Sequence, residues 1–189
     1  DNLIWTPSQS RMVINQRPRA NDGQAQIRSR ELVFQQDTEV LEFRGPTQLN
    51  RVDETNAAST VVRGGRGTWN LKSGLLQAPG PVQAIRSDGR TLSASGLDGN
   101  TRQGYLDLQQ PVTLVLESDR GRITAGRTRW LFSAEQLQSD QPIQAELKNS
   151  KVQGRGFKLD QRTGTVIISN ACRVEQTLET LTARRCAWN

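Results

Sequence analysis

The chain contains no histidine and only two cysteines, Cys172 and Cys186, among its 189 residues. Without histidine there is no Ser-His-Asp triad, no Cys-His nucleophile pair, no His-ligated zinc and no His-ligated haem. Two cysteines cannot complete a Cys₄ zinc site or hold an iron–sulfur cluster. No catalytic residue, metal ligand or cofactor is therefore expected, and only carboxylate chemistry stays open. Lysine is nearly as scarce: Lys72, Lys148, Lys151 and Lys158 are the whole set, so arginine carries the formal net charge of +6. Aromatic residues make up 5% of the chain, and no five or six basic residues follow one another. Nucleic-acid binding asks for a concentrated basic patch with stacking aromatics, so a nucleic-acid partner is not expected. No stretch approaches the roughly 18 consecutive apolar residues that span a membrane as a helix. The chain starts at Asp1 without a basic segment and apolar core, so any signal peptide or N-terminal anchor has been removed or lies outside it.

What is present is alternation. The chain is 34% apolar and 23% charged, with enough length for one domain with a real core. One domain over 1–189 is expected, with residues 1–30 a diverged polar segment and 171–189 a C-terminal tail. Leu106, Leu108, Val112, Leu114 and Leu116 share one parity, while Asp107, Thr113 and Glu117 take the other. Trp130 and Phe132 alternate with Arg129, Leu131 and Ser133, and Ile143, Ala145 and Leu147 with Gln144, Glu146 and Lys148. Period two is the signature of strands with one buried face. Only Ala171–Ala183, through Val174, Leu178 and Leu181, offers an apolar stripe at helical spacing.

The alternation is organised in a repeat of about 30 residues. One copy runs Arg90–Gly96 and then Tyr105–Leu114; the next runs Arg122–Gly126 and then Leu137–Ala145; a third runs Lys151–Gly156 and then Gly164–Asn170. A partial earlier copy holds Thr68–Leu71 and Gly80–Ala84. Val82, Val112 and Ile143 thus recur directly after Pro81, Pro111 and Pro142. Proline cannot donate to a sheet ladder, so each marks a strand start or a bend. Ser87–Arg90, Asp98–Asn100, Asp119–Gly121 and Asp160–Gly164 carry the Asp and Gly that hairpin turns need. A bend at the same point of every unit folds each ribbon over on itself. The expected fold is all-β, an antiparallel jellyroll of two facing sheets with a V-shaped open groove, built from two-strand repeats.

Such a stack has edge strands free for pairing with another chain, and an apolar interior. The residues expected to line that interior are Trp69, Leu71, Val82, Leu92, Leu106, Leu108, Val112, Leu114, Leu116, Ile123, Trp130, Phe132, Ile143, Leu147, Phe157, Leu159, Val166 and Ile168. The same residues suit a filled sandwich core or a groove that opens for acyl chains, and parity alone leaves both standing.

The stretches Gly89–Ala94 and Leu106–Val112, with Leu137–Ile143, Val152–Asp160 and Thr163–Val166, resemble the repeat of the LptC/LptA (OstA-like) lipopolysaccharide-transport proteins. The order of the later stretches is most similar to the C-terminal half of LptC, and the likeness covers roughly residues 65–170. The resemblance implies a periplasmic, non-enzymatic jellyroll, inner-membrane-associated in its full-length form. It implies that lipopolysaccharide arrives from an inner-membrane ABC transporter with LptF/LptG-type jellyrolls and passes to an LptA-like bridge protein. Family members join edge to edge, so an edge-to-edge homo-oligomer is a further expectation. Acyl chains would lie in the groove, and Arg86, Arg90, Arg122, Arg127 and Arg155 flank the small-residue strands where lipid phosphates would sit. An oxidising periplasm permits a Cys172–Cys186 disulfide, and two separate thiols remain the alternative.

Two other classes compete. A structural β-repeat protein would have the same edges and a solid interior. A carbohydrate-active β-protein would pair carboxylates such as Asp107 and Glu117 about 5 to 9 Å apart in a cleft.

Overall fold

In a computed structural model the described residues are 2–21, 25–51, 60–116, 121–131, 133–176 and 179–188. The chain alternates between two sheets, one hairpin at a time. Hairpin β1 (Asn2–Thr6) and β2 (Arg11–Asn15) lies in the first sheet, and β3 (Arg19–Asn21) with β4 (Ala25–Arg28) lies in the second. The first sheet then takes β5 (Glu31–Gln35) and β6 (Val40–Arg44); the second takes β7 (Thr47–Arg51) and β8 (Thr60–Gly64). The same step repeats with β9 (Gly67–Asn70) and β10 (Leu75–Ala78), then β11 (Val82–Arg86) and β12 (Thr91–Ala94). It repeats again with β13 (Leu97–Asn100) and β14 (Tyr105–Leu108), then β15 (Val112–Val115) and β16 (Gly121–Ala125).

After β17 (Thr128–Leu131), three long strands run through both sheets: β18 (Gln136–Leu147), β19 (Ser150–Asp160) and β20 (Val166–Glu175). β21 (Thr180–Ala183) closes the second sheet on β20 and β22 (Cys186–Trp188) closes the first. Every pairing is antiparallel, and among the described residues the only helical piece is a 3₁₀ turn at Pro7–Gln9. The expected all-β jellyroll is the fold observed.

Most short strands have one end at a bend between the sheets and the other at a hairpin turn, and in β18, β19 and β20 the bend falls within the strand. The bends therefore form one border of the molecule and the hairpins the opposite border, the mouth. Pro81, Pro111 and Pro142 all lie at bends, as their missing N–H requires. Bends leave buried carbonyls, and short hydroxyls answer them. The Ser29 hydroxyl donates to the Arg44 carbonyl at 2.9 Å and meets the Thr47 hydroxyl at 2.8 Å, and Thr47 in turn donates to the Gly65 carbonyl at 2.8 Å. Thr128 serves Gly126 in the same manner at 3.0 Å. Small residues pack where the sheets converge: a Cβ on Gly154 would lie 2.5 Å from the Ile168 Cγ2.

Two local expectations fail. Asp98–Asn100 is no turn but the interior of β13, with Gly99 facing Leu106; the hairpin sits later, at Thr101–Gly104, where Gly104 takes φ +74°. Gly99 serves close packing rather than chain reversal. The helical stripe over Ala171–Ala183 is also absent: these residues form the end of β20 and all of β21, with Val174 opposite Leu181. Helical spacing in a window this short is outweighed by pairing of β21 with β20. Leu178 and Asp119 lie outside the described residues.

Candidate functional site

The interior faces of both sheets are continuous rows of apolar side chains, and the register shows how they are built. In the second sheet, directly paired residues run Ala20, Ile27, Leu49, Val62, Ala84, Leu92, Leu114, Ile123, Ala145, Val152, Val174 and Leu181. In the first they run Trp5, Met12, Phe34, Leu41, Trp69, Leu76, Gly99, Leu106, Trp130, Leu137, Leu159, Val166 and Trp188. Each pair is one rung of an antiparallel ladder, so alternation in sequence becomes a stripe across strands. The two stripes face each other along the whole length of the molecule.

Of the interior residues named from parity, Trp69, Val82, Leu92, Leu106, Leu108, Val112, Leu114, Ile123, Trp130, Ile143, Phe157, Leu159, Val166 and Ile168 are buried in one cluster. Leu71, Leu116 and Leu147 are half-buried against it. Phe132 lies outside the described residues. Parity reasoning missed Ile27, Leu32, Leu41 and Phe43, which extend the same cluster toward the N-terminus. The signal was available in Val40-Leu41-Glu42-Phe43, whose alternation sits in a region without the repeat motif. Leu76, Leu97 and Leu137 were missed inside the repeat.

Among the described residues the interior is closely packed, and cavities between the sheets are small: one of about 30 Å³ lies beside Leu92, Leu114 and Trp130 and another of about 30 Å³ beside Ile27, Phe43 and Leu97. Each has room for about one water, against several hundred Å³ for a small-molecule pocket.

At both ends the stripes reach strands that, among the described residues, pair on one side only. β1 and β3 end the two sheets at one end of the molecule, β21 and β22 at the other. Leu3, Ile4 and Trp5 on β1 are 54%, 50% and 40% exposed, and Leu181 on β21 is 60% exposed. The apolar surface therefore does not stop before the edge.

Polar groups occupy the outer faces. Asp107 on β14 accepts from Arg129 Nε and Nη2 at 2.7 Å each and from Arg127 Nη2 at 3.2 Å. The Arg129 hydrogen bond, against the opposing pull of burial, holds the Asp107 carboxyl below the usual range. A carboxylate clamped by two guanidinium groups is a poor proton donor. Its expected partner in catalysis, Glu117, lies outside the described residues. Among the described residues no group of three or more His, Cys, Asp or Glu side chains could hold a metal, and no helix is long and apolar enough to cross a membrane. Of the five arginines considered for the rim, Arg86 and Arg90 stand at the mouth. Arg122 lies on an outer face opposite Glu146, Arg127 is bound to Asp107, and Arg155 sits at a bend.

Cys172 and Cys186 are joined in a disulfide, with their Cα atoms 6.1 Å apart, which ties β22 to the bend in β20.

Among solved structures the chain aligns with LptH, the LptA-homologous periplasmic component of the lipopolysaccharide transport device of Pseudomonas aeruginosa, with a TM-score of 0.54. The alignment covers 62% of this chain and 92% of that one, at 13% sequence identity. The fold is an LptA-like β-jellyroll. No family model and no curated protein matches the sequence. At such low identity the likeness to this LptA homologue is one of architecture and does not specify LptC.

Proposed function

We propose that this jellyroll is a lipopolysaccharide carrier, holding acyl chains between its two sheets and passing them from one end to the other. The observation that carries the proposal is the pair of facing apolar stripes that run uninterrupted to open edges. An ordinary sandwich buries its apolar face and blunts its edges with charge or proline; here Leu3, Trp5 and Leu181 bring the stripe to the outermost strands. Pairing with a similar jellyroll by added strands would continue both sheet and stripe into the next molecule. Each acyl CH₂ kept from water contributes about 0.8 kcal/mol, so transfer between equal grooves is nearly neutral and can run in the direction supplied by a transporter.

In this reading the protein works in the periplasm. One edge meets the jellyrolls of the inner-membrane export ABC transporter and the other an LptA-like bridge protein. The transporter-proximal place, that of LptC, is supported by the motif order over Leu137–Val166; the fold likeness to an LptA homologue supports a bridge place equally. The protein does no chemistry, in keeping with the clamped Asp107.

A second reading, a structural β-repeat with a solid core, is favoured by the small size of the cavities. Photo-crosslinking separates them. A photoreactive residue at Leu114, which faces the interior of β15, is expected to capture lipopolysaccharide, whereas one at the neighbouring Thr113, on the opposite face, is not. Equal or absent capture at both positions excludes the carrier function.

A further inference from the structure

The mouth of the trough is bridged at one place by polar side chains from opposite sheets. Arg86 and Arg90 flank the β11–β12 hairpin of the second sheet, a tight turn in which Gly89 takes φ +89° and the Arg86 N–H donates to the Arg90 carbonyl at 2.9 Å. From there both guanidinium groups reach the hairpins of the first sheet. Arg86 Nη1 donates to Gln161 Oε1 at 3.0 Å and its Nη2 lies 3.5 Å from Glu135 Oε2; Arg90 Nη1 donates to the Gln161 carbonyl at 2.7 Å. The two side chains are 14% and 18% exposed. Directly beneath them lies the cavity lined by Ala84, Leu92, Leu114, Trp130 and Leu159.

The charges in this bridge are incompletely matched. Asp88 lies 2.8 Å from Arg86 Nε and 3.5 Å from Arg90 Nε, so one carboxylate serves two cations. The shortest contacts across the mouth end on a neutral amide oxygen and a neutral carbonyl. The one carboxylate across it, Glu135, is distant from Arg86 and also has Arg162 at 3.9 Å. A phosphate offers charge and bidentate geometry that neither neutral acceptor has, and charge-assisted bonds to guanidinium are roughly twice as strong as neutral ones. An anion at this point would sit at the water's edge with apolar wall immediately below it, the arrangement an amphiphile with a phosphorylated head and buried tails presents.

We propose that Arg86 and Arg90 form a phosphate-binding strap across the mouth: in the empty protein they hold the sheets together, and a phosphorylated amphiphile opens the trough by drawing both guanidinium groups from Gln161 and Glu135 onto its headgroup. This rests on the carrier function for its cargo, but the strap itself does not.

Nitroxide labels on Ser93→Cys and Lys158→Cys, outward positions on opposite sheets, report the sheet separation by pulsed electron paramagnetic resonance. Without any lipid, Arg86→Gln/Arg90→Gln is expected to lengthen and broaden the distance distribution while the protein stays folded by circular dichroism. An unchanged distribution overturns the strap, and Arg90→Gln alone, which removes the shortest contact across the mouth, repeats the test should the double variant not fold. In the unsubstituted strap, lysophosphatidic acid is expected to lengthen the distance, and monoacylglycerol of the same chain and 10 mM inorganic phosphate are not (roughly ten-thousandfold above a micromolar Kd). Its affinity should fall at least about tenfold in Arg86→Gln/Arg90→Gln. Opening by inorganic phosphate alone would assign the strap to the free anion and overturn release by a lipid head. Failure of every lipid to bind would overturn the carrier function, while the lipid-free comparison still decides the strap.

Discussion

Leu106 offers the sharpest test of the facing-stripe architecture. It sits on β14 between Gly99 and Trp130 in the first sheet's stripe and is 1% exposed. Replacing it with alanine removes three carbons, whose transfer is worth about 2.4 kcal/mol at 0.8 kcal/mol per methylene. A cavity term is added because the neighbour on one side is a glycine with no side chain to move into the gap, and the other is a ring held between sheets. Leu→Ala at sites that relax poorly costs about 3–5 kcal/mol, and about 3–4 kcal/mol is expected here. For a chain of this size each kcal/mol moves Tm by about 2–4 °C, so melting should fall by roughly 6–16 °C. Thr113→Ala, on an outward face, should change stability by less than about 0.5 kcal/mol. Urea titration followed by circular dichroism reads both, and an unchanged m-value certifies that the same surface is exposed on unfolding. A loss below 1 kcal/mol at Leu106 with unchanged m refutes the packed stripe.

Other perturbations probe the remaining features. Asp107 has a folded-state pKa depressed by Arg129, so its contribution to stability is present above the unfolded carboxylate pKa and lost as pH falls through the folded one. Asp107→Asn should therefore cost about 1 kcal/mol at pH 7, modest because Arg127 and Arg129 are half exposed, and less under strongly acidic conditions; a constant difference from pH 7 to pH 2 contradicts the clamp. Cys172→Ser with Cys186→Ser should lower stability by about 3 kcal/mol for a loop of this length, and mass measurement after thiol labelling of the native protein should find no free thiol. Ile4→Lys and Leu181→Lys on the exposed edges should leave melting within about 0.5 kcal/mol of the original, while any self-association seen by sedimentation weakens; unaltered sedimentation of an oligomer excludes these edges from its contact.

How much of this was legible in the chain depends on how local the cause is. Strand identity was legible, because a half-buried strand writes its burial as alternation: Val112-Thr113-Leu114 and Ile143-Gln144-Ala145 point inward and outward as their polarity requires. The bends were legible at Pro81, Pro111 and Pro142 because a missing N–H is a property of the residue itself. Asp98-Gly99-Asn100 misled because the same glycine that permits a turn also permits close packing against Tyr105 and Leu106, and only the neighbours decide between them. The N-terminal half of the core was passed over because its strands alternate without the repeat's prolines.

Tertiary structure alone decided what joins what. Gln161 is 75 positions from Arg86, and nothing in either neighbourhood announces the other. Their contact exists because successive hairpins alternate between sheets, which brings distant turns to one border. The closeness of the interior is likewise a global property. Composition supplied the apolar side chains for two stripes, but the separation of the sheets, and hence whether those stripes meet or leave a channel, follows from packing summed over all rungs together with the polar strap at the mouth.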